Sequence, residues 1–160
     1  MFAEAVAQEY RVIALRHEAA ANLLAVLRAV GGAPVLVAHG AAGKQACSVA
    51  VADPEALTAL VLADYRPVEG PTEHRQVSVP AMVLRGRQSR LLPHADAVAL
   101  HGAMPGSRLI EPEDCGDWPF GSCPEACATA VKWFVSELSS PFMQFAVEGD
   151  GEPVDPRPKG

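Results

Sequence analysis

The stretch Ala33-Pro34-Val35-Leu36-Val37-Ala38-His39-Gly40-Ala41-Ala42-Gly43 decides how the rest of the chain is read. Its apolar run from Pro34 to Ala38 reads as a buried strand, and the small residues bracketed by Gly40 and Gly43 can turn sharply and open a helix. The expectation is a strand, a tight turn and a helix in immediate succession.

Upstream, Ala20, Leu23, Leu24, Leu27 and Val30 mark one face of a helix starting at Glu18, which Gly31-Gly32 stops. Residues 2–9 favour helix, and Arg11 to Leu15 reads as a short strand. Downstream, an alanine-rich helix over 41–52 runs to Asp53-Pro54, and Thr58 to Ala63 is a second continuous apolar strand. A polar loop with Pro67, Gly70 and Pro71 separates it from a strand at 81–85. A helix at 94–103, a strand at 108–110 and a helix from Pro124 complete the domain. That last helix is announced by Ser122 and Glu125 at capping-box spacing, and its buried stripe is Cys127, Ala130, Val131, Phe134 and Leu138. Continuous apolar strands alternating with helices predict an α/β fold, a mostly parallel sheet of about five strands covered on both faces.

At 160 residues with 49% apolar and 20% charged residues, the chain suits one domain with its own core. We assign it to residues 1–140. Residues 141–160 are rich in Pro, Gly and acid and read as a tail, disordered from about Glu148. A formal charge of -6 without any Lys/Arg cluster argues against a nucleic-acid partner. No segment approaches the roughly 20 apolar residues of a membrane span, and the N-terminus lacks a signal-peptide pattern, so a cytoplasmic protein is expected. In that setting Cys47, Cys115, Cys123 and Cys127 read as buried or free thiols. The spacings among the last three match no common zinc pattern, so neither a metal nor any other cofactor is expected.

The quoted stretch resembles the nucleophile elbow of the α/β-hydrolase superfamily, an apolar strand followed by Gly-His-Ser-x-Gly-Gly. The likeness extends over about residues 3–138. Residues 9–15 look like the strand before the family's Asp-x-x-Gly-x-Gly loop, which is absent here. Val79-Pro-Ala-Met-Val-Leu-Arg-Gly86 resembles the strand that carries the catalytic acid, and Leu92-Pro93 matches the Val-Pro that commonly follows. Glu111 to Ala126 resembles the histidine loop, with Gly116, Trp118, Pro119, Pro124 and Glu125 fitting. The resemblance implies a shortened member that lacks the family's first strands and has a loop in place of a lid domain.

The departures fall on the chemistry. Where the family carries serine, acid and histidine, this chain has Gly40, Ser89 and Asp117. Losing such a group of residues costs on the order of 10⁶ in kcat. Gly40 also suits a scaffold, because glycine keeps the strained elbow turn at little steric cost. The missing third strand would leave residues 11–15 without their usual neighbour, which predicts a rearranged N-terminal edge or a homodimer through an open strand edge.

A ligand site is expected at His39, Gly40, Ala41, Asp117 and Trp118, with His39 as a packing element. Asp117, Asp114 and Glu113 read as a solvated acidic loop or, if Gly40 leaves space, as an acidic mouth able to bind a cation or act as a general acid/base, and Trp118 and Phe120 pack the loop or hold an apolar ligand. Cys47 and Ser48 lie about two turns down the elbow helix, too far to replace a nucleophile. The leading reading is a non-catalytic homologue that binds a small apolar ligand or a protein partner, or a gene remnant. The alternative is a repurposed enzyme, a hydrolase, lyase or cyclase acting on a small organic substrate. Ester hydrolysis completed by a second chain is a third.

Overall fold

Two apolar runs, Ala59–Ala63 (β2) and Ala81–Leu84 (β3), are buried at every position. A strand without polar alternation must be covered on both faces. In the computed structural model, which describes residues 1–14, 22–68 and 72–139, helices supply both covers. The described elements run α1 (Phe2–Ala7), α2 (Leu23–Val30), β1 (Val35–His39), α3 (Ala42–Ala52), β2, β3, α4 (His94–Ala103), β4 (Arg108–Ile110), α5 (Pro119–Ser122) and α6 (Pro124–Leu138). Among the described residues the sheet has four strands in the order β1-β2-β3-β4, and every pairing is parallel. The α/β class, the parallel sheet and the two helical layers are as expected.

Alternation divides the core. Leu60, Leu62, Ala81 and Val83 face the layer that includes Leu23, Leu27, Ala46, Ala50, Ala97 and Leu100 from α2, α3 and α4. Ala59, Val61, Ala63, Met82 and Leu84 face the opposite way, onto Cys127, Ala130, Val131 and Phe134 of α6. Fully burying one such Leu or Phe side chain contributes about 1.5–3 kcal/mol. Lys132 of α6 pairs with Glu9 beyond α1 at 2.7 Å, and Phe2 stacks on Phe120 at 4.2 Å between ring centroids.

Gly31 ends α2 at φ 69°, its N–H donating to the Leu27 carbonyl. The elbow forms as its small residues require. Gly40 adopts φ 56°, and α3 starts at Ala42, with Ala41 as its N-cap. Gly43 is required by packing, because a Cβ there would lie 2.3 Å from the Tyr65 ring. The segment between β2 and β3 holds only a 3₁₀ turn at Thr72–Gln76 among its described residues, in line with a loop replacing a lid.

Three local expectations are corrected. Arg11 to Ala14 form no strand; they are exposed, with Val12 at 41% and Ile13 at 45%. Propensity does not hold a strand without a ladder to join. Ser122 does not cap α6. Its Oγ donates to the Trp118 carbonyl, and Cys123 occupies the N-cap without a side-chain bond. Cys115 and Cys123 form a disulfide, leaving Cys47 and Cys127 as buried free thiols. Glu18 to Ala21, Leu15 and the tail from Ser140 lie outside the described residues.

Candidate functional site

The parallel register brings all four strands to a common end. His39 pairs with Ala63, Ala63 with Leu84, and Leu84 with Ile110. The next residues, Gly40, Asp64, Arg85 and Glu111, therefore form a row along the carboxyl edge. Gly40, Asp64 and Arg85 donate their N–H groups to the carbonyls of Ala63, Leu84 and Ile110 in turn. The carboxyl edge of an open parallel sheet is where such folds bind ligands.

Half of this row is closed on itself. The buried Arg85 guanidinium donates to Glu111, to the Leu92 carbonyl at 2.7 Å, and to the carbonyls of Arg87 and Ser89. Burial pushes the Glu111 carboxyl up, but hydrogen bonds and charge from His94 and Arg85 reverse that and hold it below its ordinary value. This cluster ties β3 to β4 and commits four of the five Arg85 N–H donors to partners other than Asp64.

The other half is open. Gly40 offers no side chain, and a Cβ there would meet nothing within 4 Å. Beside it, His39 sits half-buried at the end of β1, its ring tilted toward Phe120 with centroids 6.0 Å apart. Its Nε2 is buried without a hydrogen-bond partner among the described residues. Burial lowers the His39 pKa, and the Asp64 charge opposes this in part.

Asp64 went unread in the sequence, where it looks like the first polar residue of a loop. It is 4% exposed at φ 46°, a left-handed conformation rare for a side-chain-bearing residue. Its Oδ2 accepts the Trp118 N–H at 3.0 Å, and Trp118 is itself left-handed at φ 55°. Its Oδ1 is buried and unpartnered among the described residues. Burial raises the Asp64 pKa, a shift that the Trp118 N–H, Ser89 and His39 oppose and the Asp117 charge reinforces. Its only sequence signal was position, one residue beyond a fully apolar strand of a parallel sheet.

Glu113, Asp114 and Asp117 are all exposed, as a solvated acidic loop requires and an enclosed acidic mouth does not. Asp117 Oδ1 accepts from Ser89 Oγ at 2.9 Å and from the N–H groups of Arg90 and Leu91 at 2.7 and 3.0 Å. Those N–H bonds and the Ser89 hydroxyl hold its pKa below the ordinary value, the opposite of what a general base needs. Glu113 pairs with Arg87 on the surface. Ser89 and Asp117 thus touch each other and clamp the loop of residues 89–91. Trp118 stands 61% exposed, its ring lying over Gly121 and its N–H bonded to Asp64. Ala41 lines the turn at the N-terminus of α3. Cys47 is buried among the core residues of α3, and burial followed by the Glu73 charge pushes its thiol up to about 12. An open groove of about 460 Å³ between α2 and α3, lined by Leu23, Arg28, Gln45 and Ser48 among others, shares no residue with the strand-end row.

This architecture has close counterparts among solved structures. A serine hydrolase involved in carbazole degradation superposes with a TM-score of 0.68 at 17% identity, over 81% of this chain and 74% of that one. The fold is that of the α/β-hydrolases. An α/β-hydrolase from a sediment metagenome of the Mar Chica lagoon in Morocco gives 0.68 at 14% identity, over 76% and 69%. An esterase from Mycobacterium tuberculosis gives 0.65 at 17% identity, over 73% and 66%. No family model matches the sequence, and no curated protein matches it. At these identities the likeness concerns the α/β-hydrolase fold alone. Among the described residues no helix is long and apolar enough to cross a membrane.

Proposed function

We propose that the protein is a non-catalytic binding member of the α/β-hydrolase fold, holding a small organic ligand at the strand ends. The observation that carries this reading is the Ser89 to Asp117 hydrogen bond. Two of the three positions that would run hydrolysis are bonded to each other, and the third has no side chain. The ligand places an apolar face on Trp118 and a polar group between Asp64 Oδ1 and His39 Nε2, two buried atoms at the strand ends without a hydrogen-bond partner among the described residues. A protein partner at the same edge is the other form of this reading.

A second reading is favoured by those same two atoms. A carboxyl of raised pKa beside a histidine of lowered pKa is an acid/base pair suited to proton transfer, which would make this a repurposed enzyme with Asp64 in the role expected of Asp117. One experiment separates the two. A fluorophosphonate probe and a panel of small esters are run on the purified protein, with Asp64→Asn in parallel. The binding reading expects no labelling and no turnover. Hydrolysis that survives Ser89→Ala and Ser48→Ala but falls with Asp64→Asn would overturn it.

Asp64→Asn has a further expected outcome. A carboxyl whose folded pKa is raised binds its proton more tightly in the folded state, so its contribution is fully present below the unfolded value and is lost as pH rises through the folded one. The variant should therefore be the more stable protein at pH 7 in urea titration, and that advantage should vanish toward pH 3. A variant less stable than the parent at pH 7 would show that the Asp64 charge is needed by the fold.

A further inference from the structure

The sulfurs of Cys115, Cys123 and Cys127 converge on one point. One ligand atom from each lies within 4.8 Å of the other two, and Cys123 Sγ is 3.7 Å from Cys127 Sγ. Zinc-to-thiolate bonds are about 2.3 Å long, which sets neighbouring sulfurs of one ion about 3.8–4.0 Å apart. Each cysteine sits on a held part of the backbone. Cys127 lies in the first turn of α6, and Cys123 is the N-cap of that helix. Cys115 is pinned to the end of β3: Gln88 donates its N–H to the Cys115 carbonyl at 2.9 Å, and a Cβ on Gly86 would stand 2.3 Å from that same oxygen. Cys115 and Cys127 are buried, whereas Cys123 is half-buried and leaves the cluster open toward solvent.

We propose that these three cysteines form a redox-gated site for a thiophilic d¹⁰ metal ion of the zinc class, with disulfide and ion as alternative occupants of the same sulfurs. In the oxidised state the Cys115–Cys123 bridge uses two of the three donors. A dithiol or phosphine reductant supplies two electrons, two protons complete the Cys115 and Cys123 thiols, and the reductant leaves oxidised. One divalent ion then displaces three thiol protons to give a trithiolate complex of net charge −1, with a water on the open side. That negative charge lies at the N-terminus of a 15-residue helix, where the macrodipole favours it. Soft thiolate donors select this class of ion over the hard divalent cations. The sequence spacing hid the site because Cys115 reaches it through the turn of residues 116–122, not through a helix or a knuckle. The inference is independent of the proposed ligand site.

The test uses the full chain, reduced with a phosphine under anaerobic conditions and shown by thiol counting to carry four free thiols. Titration with Cd(II) is followed by the ultraviolet thiolate-to-cadmium charge-transfer band, and Zn(II) is then added as competitor. The expected result is a band saturating at one ion per chain, bleached by Zn(II), and no band from the oxidised protein. Cys123→Ser removes a half-buried donor and places a good N-cap residue on α6, so it should fold. It should weaken binding by more than the roughly 10–100-fold that loss of an outer partner costs. Cys127→Ala should do the same, while Cys47→Ala should leave the titration unchanged. Absence of a stoichiometric band in the reduced parent, equal binding by the oxidised protein, or parental affinity in Cys123→Ser and Cys127→Ala would overturn the proposal.

Discussion

β1 and β2 have sequences of the same kind and fates that differ. Val35 to Ala38 and Ala59 to Ala63 are both short, wholly apolar runs. Yet every residue of β2 is buried, whereas in β1 only Ala38 is, and Val37 is 36% exposed. Both strands receive cover from α3 and the α6 layer. What separates them is the lateral neighbour. β2 has a strand on each side, and β1 has one only on the side of β2 among the described residues. The run from Arg11 to Ala14, the described part of the strand expected at Arg11 to Leu15, is instead exposed and carries no ladder. Apolar composition says that a strand expects burial; only the sheet says whether it receives it.

The largest expected effect sharpens that contrast. Phe134→Ala, beneath the centre of the sheet, should cost about 3–5 kcal/mol in chemical denaturation, while Val37→Ala on β1 should stay within about 0.5 kcal/mol. Equal losses would mean that β1 is covered in solution. Nearly as large is the expected loss for Arg85→Ala, which strips the buried cation from Glu111 and four acceptors from their shared donor, at about 3–5 kcal/mol. Because the folded Glu111 pKa is depressed, its contribution is present above the ordinary carboxylate value of about 4.3 and is lost as pH falls through the folded value. The cost of Arg85→Ala should therefore shrink in acid, as read by urea midpoints between pH 7 and pH 3. A pH-independent cost would assign the effect to packing instead.

The smallest effect in energy decides the most about the edge. Amides of Val12 and Ile13 should exchange with solvent hydrogen rapidly, and those of Val61 and Val83 only through global unfolding. Protection at Val12 and Ile13 that grows with protein concentration, together with a dimer in light scattering, would establish that a second copy pairs at the open edge. Rapid exchange at all concentrations would leave β1 as a bare edge strand.

Much of the fold was legible residue by residue. The β1 turn, α3, the apolar strands and the stripe of α6 each follow from local apolar period, glycine placement and proline, and these agree with one another. The site was legible in outline only. Gly40, Ser89 and Asp117 could be matched to positions, and the acids around Asp117 read as a solvated loop, but the bonds of Asp117 to Ser89 and to the amides of Arg90 and Leu91 could not be read. A side chain's direction depends on donors brought near by distant segments, and no local pattern encodes them. Asp64 and Arg85 were passed over for the same reason, since each looks like an ordinary polar residue ending an apolar run.

The sequence by itself therefore determined the alternation of strand and helix and the sharp turn at Gly40. These depend on residues within a few positions of one another, where sterics and apolar period act. Only the tertiary structure decided that Arg85 neutralises Glu111 and not Asp64, that Ser89 and Asp117 close on each other, and that three cysteines from a loop and a helix end meet within 4.8 Å. Charge pairing and sulfur proximity depend on distances that arise when strands far apart in the chain come into register, and that register is a property of the whole sheet.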